Sequence, residues 1–297
     1  MRILVTGRTG QLGKRLLRSL APLGDILGTS RAEFDLDEPS RLESALDRLT
    51  PDLIVNAAAY TAVDQAEREI ALAHRINADA PGAIARWAAA RDIPIIHFSS
   101  DYVFDGSGRT PWTETAPTAP LNVYGESKRA GEIQIITAGG PHLVIRTSWI
   151  YAEDGRNFLR MVLRLASERD DLRIVDDQIG APTSAAFVAQ ATAEIVAQGQ
   201  HDLSAFLRAQ GGLLHLACAG ETSWHGFALA IVAGARRRGI TLQVKSITPI
   251  STAEFGAPAR RPANSRLDLT RLRHRFGIAP PNWRDEIDRM LDLLRNS

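Results

Sequence analysis

Short apolar runs alternate with helical periods through the first half of the chain. Ile3 to Val5 is apolar throughout, and Gln11 to Leu20 carries Leu12, Leu16, Leu17 and Leu20 at helical spacing. Asp25 to Thr29 reads as a second strand, and Leu42, Ala45, Leu46 and Leu49 mark a helix after Pro39. Leu53 to Asn56 is a third strand, followed by a long alanine-rich helix expected from about Ile70 to Arg91. Ile93 to Ser99 predicts a fourth strand, a helix follows around Tyr124, and Leu143 to Arg146 predicts a fifth strand. Strands that are apolar without alternation are buried on both faces, as in a parallel sheet covered by helices. With right-handed crossovers these elements predict an α/β fold with a doubly wound parallel sheet of Rossmann type.

The second half is less regular. Helical patterns at Asn157 to Arg169, Ser184 to Ala197 and Trp224 to Arg238 alternate with short strands and a proline- and arginine-rich stretch, Pro258 to Asn264. We expect residues 1–148 to form the nucleotide-binding domain. Residues 149–297 should form mainly a smaller α/β substrate lobe, partly interleaved, with some segments packing back. The 35 basic and 34 acidic residues nearly cancel, which argues against an electrostatic nucleic-acid binder. No apolar run approaches the ~18 residues of a membrane span, and Met1 runs almost directly into the glycine loop with no signal peptide before it. A soluble, cytoplasmic protein is expected. Cys218 is the sole cysteine, so no intrachain disulfide can form; in His215 to Ala219 it reads as a buried structural thiol of a strand.

Candidate chemistry gathers at the strand ends. Gly7, Gly10 and Gly13 lie between the first strand and a helix, where glycines admit a tight turn and a close approach to a pyrophosphate on the helix N-terminus. Thr9, Gln11 and Leu12 belong to that loop. Past the second strand, where an acidic side chain would select NAD, the chain has Ser30 and Arg31. Arg31 suits a 2′-phosphate, and Asp35 and Leu36 are placed to flank an adenine. Ala57, Ala58, Ala59 and Tyr60 end the third strand with small side chains that let a cofactor lie close. Ser100 closes the fourth strand, at the edge where such folds bind ligands. Ser99, pointing the other way, is assigned to the nicotinamide. Tyr124 and Lys128 stand one turn apart on one helix face. Alone that pair is a weak signal; with the loop and the serine it points to a nicotinamide-dependent reductase.

These residues resemble the extended short-chain dehydrogenase/reductases, and within them the dTDP-4-dehydrorhamnose reductases. The resemblance rests on Gly7 to Gly13, Val55 to Asp64, Phe98 to Gly106, Pro120 to Gly125, Arg146 to Tyr151, Asp177 to Thr183 and Arg261 to Leu267. It implies reduction of the C4 ketone of dTDP-4-dehydro-L-rhamnose to dTDP-L-rhamnose, the last step of making that sugar nucleotide for cell-surface polysaccharide. On this resemblance Tyr124 donates the proton, and Ser100 holds the keto oxygen. Lys128 positions the ribose and lowers the phenol's pKa. Asp101, Tyr102, Trp149, Gln178 and Asn264 are further substrate candidates.

Two departures matter. Ser30 and Arg31 replace the family's acidic residue, so NADPH is expected over NADH. Where some members carry a carboxylate that helps bind magnesium at a dimer interface, this chain has Lys14 and Arg15, so no metal site is expected. A monomer or homodimer is compatible with the sequence. The alternatives are another nucleotide-sugar reductase or epimerase, or a non-catalytic NADP-binding regulatory subunit. A dehydratase would need a glutamate after Asp101, where Tyr102 stands. The intact Ser100, Tyr124 and Lys128 weigh against a non-catalytic role.

Overall fold

The computed structural model describes residues 1–295. Five strands follow in chain order: β1 (Arg2–Thr6), β2 (Asp25–Thr29), β3 (Leu53–Asn56), β4 (Ile95–Ser100) and β5 (His142–Thr147). Helices α1 (Gln11–Leu20) and α2 (Pro39–Leu49) follow β1 and β2. Short helices α3 (Val63–Ala66) and α4 (Ile70–His74) and the longer α5 (Ala80–Ala89) follow β3, and α6 (Val123–Ala138) lies between β4 and β5. A sixth strand of the sheet, Gly212–His215, comes from the second half of the chain and pairs with β5. All pairings are parallel, and the spatial order runs from Gly212–His215 through β5, β4, β3 and β1 to β2. The order reverses between β1 and β3, which opens a crevice at their carboxyl ends.

One expectation fails here in an informative way. The segment from Ile70 is not a single helix: Arg75–Asp79 forms a π turn between α4 and α5. Asn77 in that turn is fully buried. Its side chain accepts from the Tyr60 backbone N–H at 2.8 Å and donates to the Tyr60 carbonyl and the Ser127 hydroxyl, each at 3.0 Å. The turn thereby fastens the loop after β3 to α6. Alanine-rich periodicity cannot show this, because such bulges are set by what the side chain must reach.

Beyond β5 come a short strand β6 (Ile150–Tyr151), α7 (Phe158–Glu168), β7 (Asp171–Val175), β8 (Ile179–Gly180) and β9 (Thr183–Ser184). Helix α8 (Ala185–Gln198) packs back on α1, joining the two halves through one large apolar core. Cys218 lies just past the Gly212–His215 strand rather than within one. It is buried, and burial pushes its thiol up to about 12, as suits a structural cysteine. No helix among the described residues is long and apolar enough to cross a membrane.

Candidate active site

The glycine loop forms a cradle at the sheet's reversal point. Gly7 leaves β1 with φ at 71°, and a Cβ there would stand 3.0 Å from the Ala58 backbone, so the loops after β1 and β3 lie against each other. Gly10 starts α1 with no side-chain cap, and the first turn carries no acidic residue. Its leading N–H groups therefore suit an anion. Gln11 faces sideways and accepts from the Asn157 side chain at 2.8 Å, while the Leu12 side chain is core. These residues fit a dinucleotide's pyrophosphate through backbone rather than side chain.

The end of β2 differs from the sequence reading. Glu33 folds back so that one carboxylate oxygen accepts both the Ser30 N–H and the Ser30 hydroxyl at 2.8 Å. Arg8 lies 3.3 Å from the same carboxylate. A carboxylate therefore does follow β2, supplied from three residues downstream. Ser-x-x-Glu is the capping-box pattern, and that signal in Ser30 to Glu33 was legible. Arg31 is 70% exposed and pairs with Asp35 at 3.2 Å and Asp37 at 3.5 Å, so it does not stand free over a ribose. Asp35 is occupied by Arg31 and by the Asp37 N–H, and Leu36 is buried.

Ser100, Tyr124 and Lys128 meet at the carboxyl end of β4. Asn122 caps α6 by accepting from the Gly125 N–H at 2.8 Å. A Cβ on Gly125 would come within 2.2 Å of the Tyr102 carbonyl, so only glycine lets α6 approach this closely. That contact sets Tyr124 beside Ser100, and the two hydroxyls share a hydrogen bond. Burial raises the phenol to about 12, against which the Ser100 bond acts in the opposite sense. The expected lowering by lysine is absent. Lys128 instead donates to the Phe98 carbonyl at 2.6 Å and lies 3.3 Å from His97 Nε2. Burial lowers its ammonium to about 8, opposed by Glu132.

Asp101 lies next to this pair. One of its oxygens accepts from the Ser100 hydroxyl at 3.0 Å, and the other is buried without a hydrogen-bond partner among the described residues. Burial raises the acid to about 6, with the Ser265 and Ser100 hydroxyls pulling it back. Ser99 is also buried with its hydroxyl unpartnered among the described residues. The Tyr102 ring meets Tyr124 edge-on at 5.6 Å.

The remaining candidates divide. Trp149 holds a left-handed backbone, φ 50°, and stacks on Trp224 at 3.7 Å between ring centroids. Such strain in a tryptophan costs about 1–3 kcal/mol and marks a site held by its surroundings. Gln178 is used at both ends, accepting from the Trp224 indole and donating to Thr252. Asn264 is likewise spent on the carbonyls of Ser107 and Thr110 and on Arg266. Both are hydrogen-bonded within the loops around the site. Tyr60 donates to Glu69 at 2.8 Å. Trp224 and Arg261 join these contacts. Arg261 pairs with Asp64 at 2.8 Å and reaches the Tyr102 hydroxyl. The metal question also changes form: Lys14 and Arg15 are paired with Asp154 and Glu153, so carboxylates stand here already neutralised.

With this geometry in hand, comparison with known proteins is direct. Residues 1–296 match the family described as the RmlD substrate binding domain. The chain belongs to this family. A relative from Burkholderia thailandensis, named dTDP-4-dehydrorhamnose reductase, is 47% identical over 288 residues, 96% of each chain. A reductase of the same name from Clostridium acetobutylicum has a solved structure at TM-score 0.89 and 33% identity, covering 99% of this chain and all of that one. The Bacillus anthracis reductase, solved in complex with NADP, superposes at TM-score 0.88 with 33% identity over 98% of this chain and 99% of its own. Family members thus share the whole architecture, both halves included.

Proposed function

We propose that this protein reduces the C4 ketone of dTDP-4-dehydro-L-rhamnose to dTDP-L-rhamnose, with NADPH preferred over NADH. The observation that carries the reading is the Ser100–Tyr124 hydroxyl pair at the carboxyl end of β4 with Lys128 behind it. Near-full-length identity to proteins of that name supports the substrate. Gly7, Gly10, the first turn of α1, Ala57 to Tyr60 and Ser99 would hold the nicotinamide cofactor, which when bound supplies hydride. Ser100 and Tyr124 orient the ketone by its oxygen. Tyr124 gives that oxygen a proton as negative charge develops on it, a step worth roughly 10²- to 10⁴-fold. A phenol raised to about 12 keeps its proton at neutral pH, which a reductive direction requires. Lys128, set behind the pair, would face the cofactor ribose as a hydrogen-bond donor, and Trp149 with Trp224 forms the aromatic wall against the sugar nucleotide. Residues 1–148 mainly carry the cofactor and 149–297 the substrate. For coenzyme choice, the NADP complex of the Bacillus anthracis relative supports NADPH, and Arg8 and Arg31 are the cations at the end of β2, paired with Glu33 and with Asp35 and Asp37. Incubation with NADPH and dTDP-4-dehydro-L-rhamnose tests the proposal. Loss of NADPH with dTDP-L-rhamnose as product supports it, and a folded protein that leaves NADPH unconsumed defeats it.

A further inference from the structure

Beneath the site a row of buried polar side chains crosses the sheet. Thr6, Asn56 and His97 are lateral partners on β1, β3 and β4 and are all essentially inaccessible. The Thr6 hydroxyl accepts from the Ala58 N–H at 3.1 Å and donates to Asn56 Oδ1 at 2.6 Å. That fixes the carboxamide with its NH₂ toward His97, 3.0 Å from Nδ1. Nδ1 must then present its lone pair, and the neutral ring carries its proton on Nε2. Nε2 stands 3.3 Å from Lys128 Nζ. An N–H there can be accepted only by an uncharged amine; an ammonium opposite it sets donor against donor.

We propose that His97 is a positioning residue for Lys128: a tautomer-locked donor that favours the lysine's amine over its ammonium and seats it against the Phe98 carbonyl. The inference rests on the reading of Lys128 as the active-site lysine. The lock begins at Ala58, against which Gly7 is packed, so the cofactor cradle and the lysine share one hydrogen-bonded chain. Other groups do not take over this role. Glu132, one turn along α6, favours the ammonium, but Arg146 of β5 holds its carboxylate through two bonds of 2.7 and 2.6 Å. Tyr124, one turn back, is neutral, and Asp101 acts on that tyrosine. Arg75 and Asp79 of the π turn are exposed. Burial holds His97 below the ordinary histidine range, so the ring stays neutral.

The chain contains three lysines, Lys14, Lys128 and Lys245, which makes the test direct. In protein labelled with ¹³C at lysine Cε, the Lys128 resonance is followed against pH without cofactor or substrate. His97→Leu removes the donor and is expected to raise the Lys128 midpoint by about one pKa unit. His97→Gln, whose amide can accept from Asn56 and donate to the lysine, should stay near wild type. A Leu variant that titrates at or below the wild-type midpoint overturns the proposal. Should that variant fail to fold, ¹⁵N-histidine spectra of the wild type decide: Nε2–H supports the lock, and Nδ1–H overturns it. Neither measurement depends on turnover, so a failed reductase assay and a failed lock are separately visible.

Discussion

Replacing Asp101 by asparagine should stabilise the protein, and only where the carboxyl would be ionised. The acid is buried among hydroxyls with one oxygen unpartnered among the described residues, and burial raises it from 3.8 to about 6. A raised carboxyl means that the folded state binds its proton more tightly than the unfolded chain. Stability is therefore lost as pH rises through the window from 3.8 to about 6. Each unit corresponds to about 1.4 kcal/mol, so the fold carries a penalty of roughly 3 kcal/mol above that window and none below it. Asparagine keeps an acceptor for the Ser100 hydroxyl and carries no charge. Any cost of its new N–H₂ group is independent of pH and cancels when two pH values are compared. Denaturant unfolding near pH 8 and near pH 4 measures the difference. We expect Asp101→Asn to gain about 3 kcal/mol on wild type between the acidic and the alkaline condition, or some 5–10 °C in thermal midpoint. A difference that does not change with pH, or that grows toward acid, would refute the assignment of a desolvated carboxylate.

Other outcomes follow from the same geometry. Tyr124→Phe should lower turnover by roughly 10²- to 10⁴-fold while NADPH binding, read by fluorescence titration, stays within about twofold; a loss below tenfold in a folded variant would remove Tyr124 as the acid. Arg31→Ala should narrow the NADPH-over-NADH ratio of kcat/KM through KM. Glu33→Gln should widen it, because a carboxylate near a dianionic phosphate costs on the order of 1–2 kcal/mol at surface dielectric. Equal ratios in all three proteins would place coenzyme selection elsewhere. Gly125→Ala should abolish activity, since its Cβ would overlap the Tyr102 carbonyl and push α6 away; a variant with wild-type kcat would contradict that packing. Activity should survive EDTA, because Lys14 and Arg15 already neutralise the nearby carboxylates, and loss restored by magnesium would show otherwise.

The sequence by itself determined the parallel sheet, the glycine cradle and the spacing that brings Tyr124 and Lys128 onto one helix face. Each of those is local: β1 to β5 are short strands with apolar cores, Gly7 to Gly13 sit at one strand–helix junction, and Tyr124 and Lys128 are spaced by a single helical turn. Even the carboxylate after β2 was present as Ser30-x-x-Glu33, a pattern of near neighbours. What the tertiary structure alone decided depends on contacts between residues far apart in the chain. The π turn at Arg75–Asp79 exists because Asn77 must reach Tyr60 and Ser127, fifty residues away in the last case. Gln178 and Asn264 bond to partners 74 and 154 residues distant. The shifts of Tyr124, Lys128 and Asp101 follow from burial, which spacing does not encode: desolvation raises the phenol with no lowering by lysine and leaves it a held acid. His97 reads in sequence as one more residue of an apolar strand. Only the lateral register of three strands makes it a directed donor facing the lysine, because that register sets Thr6, Asn56 and His97 side by side from distant parts of the chain.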